Sequence, residues 1–498
     1  LFEFARAVAR HEQHRAHQIG LLRIIAISSP PTSFACLCLD FMWRVNRPSI
    51  PFNACGHAGL AILTMKFTDA YGARKLEIRG RRRLRRRGAV TRASASHRSI
   101  LIAPATRELP MDFALTDQQE AIRDAIARIC AGFDDAYWLN KDREGGFPHD
   151  FHKALADAGW LGICVPEAYG GSGLGITEAT IMMRTIAESG AGMSGASAVH
   201  INVFGLNPVV VFGTEEQRKR MLPPMVEGRE KACFAVTEPN TGLNTTQLNT
   251  RAVARNDRYI VNGQKVWIST AQVAHKILLL ARTTPLEDVK NPTHGLSLFY
   301  TDFNRKQIKV HEIEKMGRKI VDSNELFFED FEIPMEDRIG EEGRGFQYIL
   351  EGMNPERILI AAEAVGLGKL ALARAAEYAK TRIVFNRPIG KNQAIQHPLA
   401  KNWVELEAAW LMVMSAAWQY DKGMPCGAAA NAAKYLAGEA GFQACEQAVM
   451  THGGFGYAKE FHVERYLREV MIPRIAPVSP QLALSFIAEK VLGLAKSY

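Results

Sequence analysis

The 498-residue chain has no CxxC pair among its eight cysteines, no run of 18 uncharged apolar residues, and almost no acid in its first 110 positions. Each shortage excludes something. Cys36, Cys38, Cys55, Cys130, Cys164, Cys233, Cys426 and Cys445 lie mostly inside apolar stretches. That fits inert core thiols in a reduced intracellular protein, in the cytoplasm or alternatively a mitochondrial matrix, and no metal site is expected. Without a long apolar run, no membrane span is expected either. Residues 1–110 hold 19 Lys+Arg against 6 Asp+Glu, which leaves 42 basic and 46 acidic residues for the rest. The net charge of +9 therefore belongs to the first segment. Residues 111–498 are mildly acidic and unsuited to holding nucleic acid.

What is present divides the chain into four parts. Residues 1–110 begin with Leu and lack a sustained hydrophobic period. Their "RGRRRLRRRG" (79–88) repels itself unless it is solvated or bound to polyanions. A short match, "ACGHAGLA" (54–61), bears a faint likeness to a racemase or isomerase strand. The segment reads as an extension outside the main fold, with Met111 as a natural start. Residues 111–232 read as a helical domain, with capping boxes at Thr116/Gln119 and Thr214/Gln217. Residues 233–335 switch to period two, which predicts an antiparallel β-barrel or sandwich; Asn262-Gly263 inside "RYIVNGQKVWIS" (258–269) signals a hairpin. Residues 336–498 carry long Ala- and Leu-rich helices over 355–382, 393–420 and 427–450, with a last one starting near Pro480. Short connections between them predict an antiparallel four-helix bundle.

One acid stands out. In "GMNPERILIAAEAVG" (352–366), Glu356 sits at the mouth of an otherwise apolar helix. Locally, Asn354 reads as an N-cap, Pro355 as the first helical residue, and Glu356 as an ordinary first-turn acid favoured by the helix dipole. The competing reading is a base that takes a proton from a substrate.

The separated motifs decide between the two. "CFAVTEPNTG" (233–242), "NGQKVWIST" (262–270), "RIVFNRPIGKNQAIQHPLA" (382–400) and "MTHGGFGYAKEFHVERYLRE" (450–469) resemble, in this order, the acyl-CoA dehydrogenase family over Met111–Tyr498. The resemblance implies FAD, an acyl-CoA substrate, an electron-transfer flavoprotein as acceptor, and a homo-oligomer, dimer or tetramer. It implies that Thr237 and Ser269 hydrogen-bond the flavin, that Trp267 packs on it, and that Phe234 and Val236 line the same site. Arg382, Phe385, Gln393, Gly453 and Gly454 would reach the FAD of an adjacent subunit, and Ser479 and Gln481 would lie beside the flavin. Taken singly, Trp267 could be strand core, Gly453-Gly454 a helix stop, and Arg382 a solvated helix-end cation.

The pattern breaks at one point. In "RIAPVSPQL" (474–482), Pro477 stands where the family's commonest base, a Glu, would be, and it also lacks the N–H of the oxyanion hole. A subset resembling isovaleryl-CoA and long-chain acyl-CoA dehydrogenases carries its base as Glu-Arg at the start of the first bundle helix, which Glu356-Arg357 matches. The resemblance therefore implies Glu356 as base and Asn354, Arg357 and Leu243 near the substrate. Leu243 replaces a hydroxyl that contacts CoA, and Met450 replaces a Gln that binds FAD. Two alternatives stay open: a same-fold flavin monooxygenase or desulfinase-like lyase that needs no α-proton base, and a non-catalytic flavoprotein.

Overall fold

The computed structural model describes residues 113–497 and, for the backbone alone, three strands before them. The chain separates into two units, Leu1–Phe113 and Ala114–Tyr498. In the first, β1 (Arg23–Ile25), β2 (Ala61–Thr68) and β3 (Lys75–Arg82) form an antiparallel sheet with β2 in the middle. The pairing of Met65 with Ile78 belongs to a ladder that the irregular hydrophobic pattern did not announce. Residues 54–60 and the arginines after Arg82 lie outside the described residues.

The second unit opens with helices. Thr116 and Gln119 close a reciprocal capping box on Asp117–Cys130, and Thr214 with Gln217 does the same for Glu215–Val226. Within this helical part, Ile176–Ile186 passes through a wide turn at Gly190, φ +104°, and continues as Gly192–Phe204. Two helical stretches, Ile176–Phe212 and Val463–Lys490, are long and apolar enough to match a membrane span by composition. The first is mostly buried within the fold, and each is broken, at Gly190 and at Ala476–Pro477.

An eight-stranded sheet follows, built from β4 (Ala232–Ala235), β5 (Arg251–Arg255), β6 (Arg258–Ser269), β7 (Lys276–Arg282), β8 (Leu296–Asp302), β9 (Ile308–Glu312), β10 (Ser323–Pro334) and β11 (Arg338–Ile339). Its order is β11–β8–β7–β5–β6–β10–β9, with β4 running parallel to β7. Both faces of β7 are covered, which explains its unbroken apolar run. Leu278 and Leu280 pack with Leu222 and Met225 on one side, while Ile277 and Leu279 join Tyr259, Phe299 and Phe331 on the other.

The hairpin expected at Asn262-Gly263 is not there. Those residues lie inside the continuous strand β6, and the two-residue turn is Asn256-Asp257, where β5 meets β6. Gly263 instead serves close approach, since a Cβ there would sit 2.6 Å from the Thr250 hydroxyl oxygen. Asn262 faces the bulge at Phe328/Phe331 and bonds Asp330.

The C-terminal part is the expected bundle of long helices, Met353–Thr381, Gln393–Asp421 and Gly427–His452, closed by Pro480–Lys490. Asn354 is not the cap. A preceding helix, Gly345–Glu351, runs into the long one at Gly352, so Asn354 already lies within the first turn and its side-chain oxygen accepts from Arg357 (3.1 Å).

Candidate active site

Glu356 and Glu363 are seven residues apart on the Met353–Thr381 helix, which places them two turns apart on one face. The Gly192–Phe204 helix packs against that face and presents His200 between them. His200 Nε2 meets Glu356 Oε2, and His200 Nδ1 meets Glu363 Oε1, so both ring nitrogens are engaged by carboxylates. All three side chains are buried. Burial opposes a charge on the imidazole, but the two carboxylates outweigh it and push His200 up to about 10. The ring is packed edge-on against Phe204, with centroids 5.0 Å apart.

This group lines a cavity of about 460 Å³. A second wall comes from the sheet: Phe234 in β4, Val236 and Thr237 just after it, and Trp267 and Ser269 at the end of β6. The Val266 N–H donates to the Thr237 carbonyl (2.9 Å) and ties these segments together. Beneath them the buried Lys265 bonds the Val236 carbonyl (2.8 Å) and Glu238 (2.9 Å), while Glu238 also accepts from the Asn249 and Thr250 amides. Glu238 is thus spent on holding the loop. Trp267 is no core residue: it is 59% exposed, with φ +62°, a backbone region that a bulky side chain occupies at a cost.

The third wall is Ala476, Pro477, Val478 and Leu482. Pro477 and Glu356 therefore face one cavity. The buried Lys434 ammonium donates to the Val478 carbonyl, and the Val478 N–H makes no hydrogen bond within the described residues. Ser479 and Gln481 do not line the cavity: the Ser479 oxygen accepts from the Leu482 N–H (3.2 Å) as a helix cap, and Gln481 is exposed. Leu243 lines the mouth, and Arg357 lines the wall while donating to the Met353 carbonyl (3.3 Å) and Asn354. Arg318 also lines the cavity, and its buried Nε has no hydrogen-bond partner among the described residues.

Arg382, Phe385, Gln393, Gly453 and Gly454 are not in this cavity. They lie on an outer surface, where the Arg382 guanidinium sits 5.4 Å from the centre of the Phe455 ring. Phe385 is 92% exposed, and a Cβ on Gly453 or Gly454 would meet nothing within 4 Å. An open glycine turn beside a cation is a cradle into which a phosphate group fits. The cavity's hydroxyls and its exposed indole suit the flat, acceptor-rich ring of a flavin. The residues present fit FAD.

The expected set missed His200, Glu363 and Arg318. A signal existed for one pair: two acids seven apart in a stretch, 355–368, whose one other charged residue is Arg357.

Comparison with known proteins places these features. The acyl-CoA dehydrogenase N-terminal, middle and C-terminal domain models match residues 116–229, 233–331 and 343–492. The chain is 35% identical over 390 residues to acyl-CoA dehydrogenase FadE12 of Mycobacterium tuberculosis, covering 78% of this chain and 99% of that protein. It is 31% identical to the caffeyl-CoA reductase-Etf complex subunit CarC of Acetobacterium woodii, covering 78% of this chain and 97% of CarC. Butyryl-CoA dehydrogenase from Megasphaera elsdenii superposes with a TM-score of 0.73 at 30% identity, over 77% of this chain and 100% of that one.

Proposed function

Because this chain belongs to the acyl-CoA dehydrogenase family and oxidises an acyl-CoA thioester with FAD, we propose that Glu356 is the base that removes the α-proton. One observation carries this reading. Pro477 cannot take up a proton, and Glu356 is a carboxylate lining the same cavity. FAD, when bound, supplies the hydride-accepting chemistry. Thr237, Ser269 and Trp267 would hold its ring, and Arg382, Phe385, Gln393, Gly453 and Gly454 would meet the FAD of a second copy in a homo-oligomer. Electrons would leave to an electron-transfer flavoprotein, in line with the Etf complex of which CarC is a subunit.

The protein's own work is positional. Glu356 faces the α-carbon with Oε1, because Oε2 is held by His200. The thioester carbonyl, deprived of a donor at Pro477, is served by the free Val478 N–H next to it. A lost donor of this kind costs about 10²–10³ in rate, so the substitute matters. Pro477 and Leu243 motivate flavin chemistry without α-proton removal; the carboxylate of Glu356 in the same cavity favours the dehydrogenase reading.

The acyl group is compact. His200, Glu363 and Arg318 line the cavity together with Glu356, and a long methylene chain laid against those charges would forfeit about 0.8 kcal/mol of burial per CH₂. Anaerobic mixing with a series of acyl-CoAs tests both statements. Bleaching should be fast with butyryl-CoA, slow with palmitoyl-CoA, and abolished in Glu356→Gln with FAD retained. Undiminished bleaching by Glu356→Gln would exclude Glu356 as base.

A further inference from the structure

A base buried in an apolar pocket faces a conflict. Desolvation favours its neutral form, which cannot accept a proton, and a second buried carboxylate nearby makes ionisation harder still. Here Glu363 is that second carboxylate. It is fully buried, and among the described residues its Oε2 has no hydrogen-bond partner and its side chain's one hydrogen bond is to His200. An acid so placed has no evident use for the helix. It does have one for the imidazole, which becomes a cation held between two anions and so cancels the repulsion between them.

We propose that His200 is a positioning residue for Glu356: clamped by Glu363, it fixes which oxygen of Glu356 faces the substrate and offsets the repulsion between the two acids. This rests on Glu356 being the base. The geometry supports it in three ways. Both ring nitrogens are taken, so the ring cannot flip without breaking one bridge. Phe204 blocks its side. The charged groups that meet it are Glu356 and Glu363 from the long helix; Arg318 and Arg357 line the same cavity, and among the described residues neither forms an ion pair with either acid.

The proton balance is simple. The Glu356 carboxylate accepts the substrate's α-proton on Oε1 and becomes a neutral acid. His200 keeps both of its protons throughout, donating one to Glu356 Oε2 and one to Glu363 Oε1. No proton passes through the ring, which is an electrostatic and steric part and not a relay.

The test is the pH dependence of flavin bleaching in a single anaerobic turnover with butyryl-CoA, in His200→Gln, Glu363→Gln and the double variant. His200→Gln removes the cation and leaves two facing carboxylates. Its acid limb should move up by about one pH unit or more, and its maximal rate should fall about 10–100-fold, with FAD still bound. Glu363→Gln removes one anion, so its limb should move down or stay. The double variant removes one charge of each sign, and its limb should return toward that of the native protein. A merely structural role would lower all three rates with the limbs unmoved, and that result would overturn the proposal. If His200→Gln does not fold, an upward shift in Glu363→Gln refutes the scheme by itself. Glu356→Gln run alongside separates the two claims. If it bleaches normally, the base assignment has failed; if it is silent while the other limbs are fixed, only the role of His200 has failed.

Discussion

His200 changes its ordinary titration so far that stability should report it. Its ring is held charged up to about 10, against 6.5 for an unperturbed histidine. A group whose pKa is raised by folding contributes stability that is complete below the unfolded value and lost as pH climbs through the folded one. The melting temperature of the native protein should therefore decline between pH 6.5 and 10 more steeply than that of His200→Gln, as followed by circular dichroism. Equal slopes would mean that the imidazole is neutral in the folded state. At this scale the sequence was legible where residues sit in motifs. Thr237, Trp267, Ser269, Leu243 and Glu356 were all expected near one site, and all line one cavity. His200 was not legible, because a lone histidine in an apolar helix carries no local mark of its partners. Those partners come from a helix about 160 residues further on.

Between elements, fit is governed by small residues. Gly441 faces the Met353–Thr381 helix, and a Cβ there would lie 2.7 Å from the Ala364 carbonyl oxygen, which is backbone and cannot swing away. Gly441→Ala should thus destabilise the bundle by about 1–3 kcal/mol despite its better helix propensity, read as a lower midpoint in urea. Element types were readable from periodicity, but junctions were not. Asn262-Gly263 carries hairpin chemistry, yet a bulge in β10 and the crowding of Thr250 use it inside a strand. Asn354 carries capping chemistry, yet a short helix already fills the space where a chain entering from a loop would need it. In both cases a local propensity yielded to a neighbour supplied by a remote part of the chain.

For the molecule as a whole, the charge division suggests where its essential part begins. The family models together begin at residue 116, and the unit that contains the cavity is Ala114–Tyr498. A chain starting at Met111 should keep FAD and bleach with the same acyl-CoA; loss of folding would show that the basic segment is needed. The α–β–α layout was legible from the change of hydrophobic period along the sequence. The outer cradle at Arg382 and Gly453 was legible only through resemblance, since within one copy it encloses nothing.

The clamp around Glu356 also joins two parts of the chain. Its imidazole belongs to the N-terminal helices and both of its acids to the bundle. Reactivity is thereby made conditional on correct docking. A molecule whose early helices have slipped would keep its colour and its helical spectrum, yet react far more slowly, so a loosened copy contributes little thioester chemistry.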